Sequence, residues 1–588
     1  MLKKKATVKE MSREEISLNN LGKEVKNFFA NERDGSWDRD RDNDGSGSSH
    51  QKQHKSNWLT DKLGVRFLGR GMYIDIKRRL IPYYVSDIRD GITYRTIPST
   101  IFIFFTNLLP AIAFAQDMFD HTDNTYGVNE VLMASAMGGI VFGAFSGAPL
   151  CIVGVTGPIS IFNYTVYELI VPKGIPYLPF MCWICLWSMV LHFAIAFTNM
   201  VNFMRYITKF SCDVFGFFIN IVYIQKGIQI LHHQFKLQGP TSGFASIVLA
   251  LLMGLFGCAA HFFGEKTVYL RPKIRAIFRD YGTPLCVVFF TSFIHFGGEL
   301  SDVNFAKLPV GSSFRPTSAN HPRNWLIHFW EGISVGDVFL ALPFGILMTA
   351  LFYYDHNISS LICQSSKYPL KKPSSFHYDF FLLGITTGVA GLLGIPAPNG
   401  LIPQAPLHTD SLCVIRHDYE TGKDIIVSVV EQRLTNFLQG VLTLCMMTKP
   451  FLKVLGLIPQ AALAGLFWIM SITAIDGLDV TERLRFLFTD PDSLYSTGFN
   501  PNFYKVKRRW FIEYLIFELI AFACEFGITC TKGAIGFPGV LMFFMFVAML
   551  FPRIFPKDQL KFLDAPAADE LILKSLKLPK RAQERHEA

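Results

Sequence analysis

Two stretches of the sequence place Gly, Pro and small polar side chains inside apolar runs, a combination that could bind a solute. They are Val155-Thr156-Gly157-Pro158-Ile159 and Pro398-Asn399-Gly400-Leu401-Ile402-Pro403-Gln404. The run from Met137 to Asn163 around the first stretch is too apolar for a surface loop and too rich in Gly and Pro for one unbroken helix. In a membrane, broken backbone persists at mid-depth only where it is buried in protein or lines a cavity. The two stretches therefore predict short half-helices that end at an internal cavity.

Each half-helix would present the unpaired backbone N–H groups of its first turn to the cavity. Such an N-terminus favours a bound anion. Pro158 suits the first turn of a helix, which indicates a helix that begins there. Hydroxyl and amide side chains beside the breaks can add neutral hydrogen bonds. The candidate substrate-binding residues on the two stretches are Thr156, Gly157, Ser160, Asn399, Leu401 and Gln404.

Asp355 adds a charge to the candidate site. It follows Phe352-Tyr353-Tyr354 at the end of an apolar run. An ionisable residue inside a span is costly and is therefore a functional candidate by default. There it would need a proton or a cation as a partner, because burial disfavours its charged form. The alternative is a carboxylate at a helix end in water.

The motif content argues against an enzyme, a metal centre and a cofactor. The sequence contains no HExxH, GxSxG or P-loop motif. Its 11 Cys form no CxxC pair and show no Cys/His spacing typical of a metal site. The Lys and Arg residues behind the net charge of +9 lie in short loops between apolar runs, and no nucleic-acid motif is present. We expect no catalytic residues, no metal, no cofactor and no nucleic-acid partner.

The composition is typical of a membrane protein. Half of the 588 residues are hydrophobic and 18% are charged, whereas a soluble chain carries roughly a quarter of charged residues. Hydrophobic stretches recur near the ~20 residues that cross about 30 Å of hydrocarbon. By this criterion fourteen spans lie at about 96–116, 129–147, 149–170, 178–203, 213–232, 243–263, 283–297, 335–354, 378–394, 399–412, 431–448, 459–476, 509–527 and 532–552.

The basic residues support this even number of spans. Lys and Arg total about 19 in the loops assigned to the cytoplasm and about eight in those assigned outside, in line with the positive-inside rule. The sequence therefore predicts a multi-pass protein with both termini in the cytoplasm.

The second half of the chain repeats features of the first half. Leu109-Pro110 in the first span matches Leu342-Pro343 in the eighth. Because seven spans separate the halves, the second is inverted, and matched breaks in inverted halves indicate a site between them. The alternative is that Gly and Pro are simply common in membrane helices. Spaced Gly residues, which would permit close helix packing around that site, also end both the second and the ninth span: Gly139, Gly143 and Gly147, and Gly388, Gly391 and Gly394.

Six regions follow in chain order. Residues 1–57 lack the apolar periodicity of a core and are predicted to be a disordered cytoplasmic tail. Residues 58–95 are predicted to form an amphipathic segment at the cytoplasmic interface, with a soluble linker helix as the alternative. The other regions are the first repeat 96–297, an extracellular loop 298–334, the second repeat 335–552 and a cytoplasmic C-terminal tail 553–588.

Other ionisable side chains in the spans are interpreted as structural. Asp117 is predicted to lie at the outer interface. Lys226 is interpreted as snorkelling or paired, and not as a contact to the solute. Three Glu residues follow helical spacing in the thirteenth span and would line a polar face or an oligomer contact: Glu513, Glu518 and Glu525.

Several motifs together resemble the bicarbonate transporter superfamily, the anion-exchanger group of solute carriers. The resemblance covers about residues 72–565, and it is to fungal boron (borate) transporters in particular. The motifs that carry it are Leu108-Leu109-Pro110-Ala111-Ile112-Ala113-Phe114, Gly154-Val155-Thr156-Gly157-Pro158, Ser374-Ser375-Phe376-His377-Tyr378-Asp379, Gly394-Ile395-Pro396-Ala397-Pro398-Asn399-Gly400-Leu401-Ile402-Pro403-Gln404 and Val430-Glu431-Gln432-Arg433.

The resemblance implies an all-α membrane protein of two inverted seven-helix repeats, with fourteen transmembrane segments. A core domain of spans one to four and eight to eleven would move against a gate domain, which often mediates homodimers. The two half-helices would meet at the midplane with the solute between their N-termini. The implied activity is secondary active export of borate or boric acid by alternating access, coupled to a proton. The implied location is the plasma membrane, with the vacuolar membrane as a second site, and membrane lipid is the implied surrounding.

Two residues bear on which solute the resemblance implies. Asp355 matches the acidic residue that the family carries in its eighth span, and Gln404 falls where chloride–bicarbonate exchangers place an Arg. An Arg is a permanent charge that favours a permanent anion, whereas Gln leaves only helix ends and neutral hydrogen bonds. We therefore expect borate or boric acid as the solute. The alternatives are a bicarbonate/chloride anion exchanger and a transport-inactive membrane protein with a trafficking role.

Overall fold

The structure, a computed structural model, describes residues 68–267, 269, 271–296, 303–317, 323–365, 367–417, 424–490, 499–531 and 533–568. Three of the predicted regions lie partly or wholly outside these residues at the termini: all of the tail 1–57, residues 58–67 of the amphipathic segment and residues 569–588 of the C-terminal tail. Residues 298–302 and 318–322 of the predicted extracellular loop also lie outside them.

The first half of the described chain consists of helices and one short strand, β1 (Val153–Gly154). Its α-helices are α1 (Arg70–Asp75), α2 (Ile81–Asp90), α3 (Thr96–His121), α4 (Val128–Phe145), α5 (Gly157–Ile170), α6 (Tyr177–Phe197), α7 (Lys209–Gln238), α8 (Pro240–Lys266) and α9 (Pro272–Phe293).

The second half of the described chain adds strand β2 (Asn399–Gly400) and the antiparallel hairpin of β3 (Cys413–His417) and β4 (Asp424–Val429). Its α-helices are α10 (Val335–Cys363), α11 (His377–Leu393), α12 (Gln404–Ser411), α13 (Leu434–Cys445), α14 (Lys449–Leu455), α15 (Gln460–Asp476), α16 (Asp479–Phe488), α17 (Arg508–Thr529), α18 (Phe537–Ala548), α19 (Phe551–Ile554) and α20 (Lys557–Leu563).

Each of the fourteen predicted spans contains a helix within the described residues, and the third and tenth spans are broken as predicted. The predicted end of the eighth span is wrong, because α10 continues to Cys363 and so contains Asp355. By length and composition, six of the described helices could cross a membrane. The number is eight if each bent pair, α13 with α14 and α15 with α16, is one span.

The described helices pack into two groups, which correspond to the expected core and gate. We call α3–α6 and α10–α13 the core helices, and α7–α9, α15, α17 and α18 the gate helices. In the core, α13 packs against α4, and α11 packs against α6. In the gate, α7, α8 and α15 pack against one another. The predicted sites lie where the core helices α3, α5, α10 and α12 come together.

Spaced Gly residues allow the core helices to approach closely. A Cβ atom on Gly143 of α4 would lie 2.4 Å from the Phe437 backbone nitrogen of α13. A Cβ atom on Gly391 of α11 would lie 2.5 Å from the Cys185 Cβ of α6. Because neither space accepts a methyl group, both positions require Gly, which confirms the predicted role of these residues in packing.

Asp87 of α2 ties the N-terminal helices to the core. Its Oδ2 accepts hydrogen bonds from Arg79 Nη1 at 2.9 Å and from Arg433 Nη2 at 2.8 Å. Its Oδ1 accepts one from Lys372 Nζ at 2.7 Å. Asp87 is fully buried, so these contacts compensate a carboxylate that has lost its water. The interfacial role of residues 58–95 stays a prediction.

Candidate solute-binding site

The two broken spans meet through their backbones. Val153 pairs with Gly400, and Gly154 pairs with Asn399, in an antiparallel bridge of β1 and β2. The Leu401 N–H extends this pairing with a hydrogen bond to the Ile152 carbonyl at 2.9 Å. Non-helical backbone in a membrane must find partners for its N–H and C=O groups. Each broken span therefore supplies partners for the other.

Gly400 allows this bridge to lie directly against α10. A Cβ atom there would stand 2.8 Å from the His356 Cα and 3.3 Å from the Asp355 carbonyl oxygen. Real Cβ atoms do not approach backbone atoms so closely, so a larger residue would push β2 away from α10. The absence of a side chain at Gly400 thus sets the distance between the break and Asp355.

Asp355 and Asn399 contact each other at the bridge. Asn399 Nδ2 donates to Asp355 Oδ2 at 3.1 Å, and its Oδ1 accepts from the Gly400 N–H at 2.8 Å. Asp355 is 2% exposed, so the alternative of a helix-end carboxylate in water is wrong. Within the described part of the chain, Asp355 Oδ1 has no hydrogen-bond partner. This oxygen is therefore a buried acceptor without a donor among the described residues.

Helix α5 begins at the predicted break. Thr156 is its N-cap, and the Thr156 hydroxyl oxygen accepts from the Ile159 N–H at 3.4 Å. Gly157 is the first helical residue, and a Cβ atom there would lie 2.6 Å from a ring carbon of Tyr223 on gate helix α7. The start of α5 therefore lies at the boundary between core and gate helices.

Helix α12 begins at Gln404, directly after Pro403. Gln404 Nε2 lies 3.4 Å from the Thr106 carbonyl of α3, and among the described residues its Oε1 has no partner. Gln404 is 3% exposed. A second acceptor oxygen is therefore buried without a donor near the breaks. Leu401 contributes an apolar side chain, which packs with Ile103 and Ile152.

Ser160 lies one turn beyond Thr156 on α5, and its contact is with a different residue. Its hydroxyl donates to Asp117 Oδ2 of α3 at 3.2 Å. The structure thus brings Asp355 and Asn399 into direct contact and places Gly157, Leu401 and Gln404 at the same junction of helices. It places Ser160 against Asp117.

A chain of amide side chains was missed by the sequence reading. Asn107 Nδ2 donates to Gln439 Oε1 at 3.1 Å, and Gln439 Nε2 donates to Asn436 Oδ1 at 3.1 Å. Asn436 Nδ2 then donates to the Cys151 carbonyl at 3.0 Å, just before β1. All three amides are buried. The available signal was their position inside apolar helices, where an uncharged amide needs a partner.

The predictions for Asp117 and Lys226 have different outcomes. Asp117 is 5% exposed and surrounded by protein, and its position at the outer interface stays a prediction. The interpretation of Lys226 as paired is confirmed. Its Nζ lies 2.9 Å from Asp117 Oδ1.

The three Glu residues of α17 do not share one environment. Glu513 pairs with Arg509 at 2.8 Å on an exposed surface. Glu518 is buried in an ion pair with Arg483. Glu525 is buried, and its Oε2 has no partner among the described residues. The single polar face expected from their spacing is therefore divided into three different environments.

Comparison with known proteins establishes the family. Residues 66–242 and 237–568 match the family described as "HCO3- transporter integral membrane domain". The chain belongs to this family of integral membrane transporters. Boron transporter 1 of Saccharomyces cerevisiae is 53% identical over 536 residues, which cover 90% of each chain. A putative transporter of Schizosaccharomyces pombe is 48% identical over 86% of this chain and 97% of its own.

A solved structure supports the fold. SLC26A9 superposes with a TM-score of 0.50 at 13% identity, over 82% of this chain and 69% of that one. At this identity the likeness extends to the fold alone. Together with the paired breaks of α5 and α12, it supports the inverted-repeat transporter fold predicted from the sequence.

Proposed function

We propose that the chain is a secondary active transporter that exports borate or boric acid across the plasma membrane by alternating access. One observation carries the proposal: two buried acceptor oxygens, Asp355 Oδ1 and Gln404 Oε1, have no donor among the described residues. A buried acceptor without a partner costs about 1–3 kcal/mol. A solute rich in hydroxyl groups would supply the missing donors.

Boric acid fits these acceptors better than chloride does. Each of its three hydroxyl groups can donate one hydrogen bond, whereas chloride can donate none. Thr156, Asn399 and the first N–H groups of α5 and α12 would hold its oxygens. Gln404 carries no charge, whereas an Arg at this position would offer a permanent positive charge to a permanent anion. The 53% identity to a boron transporter supports the same solute.

Asp355 would set the charge of the loaded site. An ionised Asp355 would accept a hydrogen bond from neutral boric acid through Oδ1, but it repels an anion. Borate binding would therefore need a proton on Asp355; because Oδ2 accepts from Asn399, that proton would lie on Oδ1, which would then donate to the borate. Movement of the core helices against the gate helices would then carry solute and proton together. We further propose a homodimer in membrane lipid with both termini in the cytoplasm, located in the plasma membrane and also in the vacuolar membrane.

Boron tolerance and efflux in cells that lack their own exporter test the proposal. The intact chain should lower cell boron and restore growth at high boron, and Asp355→Asn at equal surface density should do neither. No tolerance from the intact protein would refute the function. Isotope flux with chloride and with bicarbonate tests the anion-exchange alternative, which the human relative Band 3 anion transport protein, 28% identical over 85% of this chain, keeps open. A trafficking scaffold should be unaffected by Asp355→Asn.

A further inference from the structure

Lys226 and Asp117 form a buried ion pair that joins a gate helix to a core helix. Lys226 lies on α7 and Asp117 on α3, with Nζ and Oδ1 2.9 Å apart. The ammonium also donates to the Tyr164 hydroxyl at 3.1 Å and lies 4.4 Å from the centre of that ring. Both charged side chains are less than a tenth exposed. Each charge is therefore compensated by its partner and not by water.

The other oxygen of Asp117 contacts Ser160, one of the predicted solute-binding residues. Asp117 Oδ2 accepts the hydrogen bond from Ser160 at 3.2 Å. An ionised carboxylate can only accept hydrogen bonds, so the Ser160 hydroxyl has to be the donor. Its proton is thereby fixed on the Asp117 side. The Ser160 oxygen can then serve the candidate site only as an acceptor, on a helix that begins at the candidate residues Thr156 and Gly157.

We propose that the Lys226–Asp117 pair is a positioning element that makes Ser160 a hydrogen-bond acceptor for the hydroxyl groups of the solute. This inference rests on the proposed function. A rotating hydroxyl serves a donor or an acceptor equally well, but a hydroxyl with a fixed proton favours a solute that donates. Boric acid and borate donate through their hydroxyl groups, whereas a hydroxyl-free anion would face the Ser160 lone pairs and be disfavoured.

The pair also makes this acceptor depend on the position of the gate. Lys226 belongs to α7, whereas Asp117 and Ser160 belong to the core. His121 is the other cationic candidate at Asp117, with its Nδ1 3.4 Å from Asp117 Oδ1, and it lies on the same helix α3. When α3 moves relative to α7, Asp117 loses the partner that the gate supplies. The arrangement around Ser160 is therefore specific to the conformation in which α3 and α7 are in contact.

Boron flux into proteoliposomes that contain the purified full-length protein tests the inference through KM. Ser160→Ala removes the acceptor, and the double variant Asp117→Asn with Lys226→Gln removes the pair without leaving one charge unpaired. Each should raise the KM for boron about fivefold to tenfold, the factor for one lost hydrogen bond. Combining Ser160→Ala with the double variant should raise the KM no further, because all of these changes remove the same chain of contacts. Lys226→Arg, which keeps a cation beside Asp117, should raise the KM less than the double variant does.

The matched control removes an ion pair that is exposed and lies within one gate helix, through Arg509→Gln with Glu513→Gln, and should leave the KM unchanged. Size-exclusion chromatography and thermal unfolding establish that each variant is folded. An unchanged KM in folded Ser160→Ala overturns the inference, even if the double variant fails to fold. A lowered maximal rate with an unchanged KM in the double variant also overturns it. Absence of boron flux in the wild type defeats the proposed function instead.

Discussion

Gly400→Ala tests whether the contact between the two broken spans creates the site. The added Cβ atom would lie 2.8 Å from the His356 Cα, 3.1 Å from the Ser359 Cβ and 3.3 Å from the Asp355 carbonyl oxygen. Two of these atoms are backbone atoms of α10, which cannot rotate away. Strand β2 has to move instead, and Asn399 moves with it, away from Asp355.

The expected cost follows from overpacking. A methyl group forced into a packed core costs about 1–3 kcal/mol. The same displacement stretches the 3.1 Å hydrogen bond from Asn399 to Asp355. A misplacement of about 1 Å in a site can lower a rate by about 100-fold, so boron flux should fall at least tenfold while most of the protein remains folded.

Two other Gly residues provide graded controls. Gly154→Ala places its Cβ atom 3.0 Å from Asn107 Oδ1 and 3.1 Å from a Leu401 methyl group, and both are side-chain atoms that can shift. Its effect on flux should be smaller. Gly527→Ala on α17 meets nothing within 4 Å among the described residues, and it should stabilise the helix by up to about 1 kcal/mol.

The assay is boron flux per mole of reconstituted protein, together with the thermal unfolding midpoint of the same samples in detergent. Boron flux should be highest in Gly527→Ala, lower in Gly154→Ala and lowest in Gly400→Ala. Gly400→Ala with the flux and midpoint of the wild type would refute this order. Equal damage from Gly527→Ala would refute it as well, because that change creates no contact.

Three further predictions concern the ion pairs and the N-terminal helices. Asp87→Asn removes the buried carboxylate that faces three cations, so it should destabilise the fold by about 3–5 kcal/mol. It should also make residues 68–95 sensitive to limited proteolysis, and unchanged cleavage there would contradict the role of Asp87. Glu518→Gln removes the carboxylate nearest to the buried Arg483, which keeps only the longer pairs with Asp213 at 3.4 Å and Asp479 at 3.8 Å, so it should lower the unfolding midpoint. Arg483→Met with Glu518→Leu should recover part of the loss, because Asp213 then lacks its cation; a double variant as unstable as the single would contradict it. Burial raises the pKa of Asp75 from 3.8 to about 6, so its protonation stabilises the fold at pH 4 and this contribution is lost as pH rises through about 6. The stability of Asp75→Asn relative to wild type should therefore increase by about 2 kcal/mol between pH 4 and pH 7, and a difference that is constant or opposite in sign would contradict the assignment.

The broken spans could be predicted from the sequence because the physical constraint on them is local. Gly and Pro at Gly157-Pro158 and Pro403 interrupt apolar runs, and hydrocarbon tolerates such backbone only inside protein. Asp355 could be found for a similar reason, since a carboxylate in an apolar run is rare. The close packing at Gly143 and Gly391 followed from their spacing.

The contacts between distant parts of the chain could not be predicted in this way. Hydropathy places a stretch in the membrane but does not identify which stretch it pairs with, so the bridge of β1 and β2 was missed. The amides Asn107, Asn436 and Gln439 are uncharged and left no signal in the charge pattern. Asp117 was placed at the interface because α3 was expected to end near it, and its partner Lys226 lies on a helix from the other group.

Boron movement into proteoliposomes of the purified chain, compared with Asp355→Asn at the same protein density, tests the central claim most directly. We predict saturable boron flux above that of protein-free liposomes, undiminished when chloride is replaced by a larger anion. We also predict that Asp355→Asn lowers this flux at least tenfold while the protein stays folded. Wild-type flux equal to that of protein-free liposomes, or equal flux from Asp355→Asn, would contradict a site built from Asp355 and the two paired breaks.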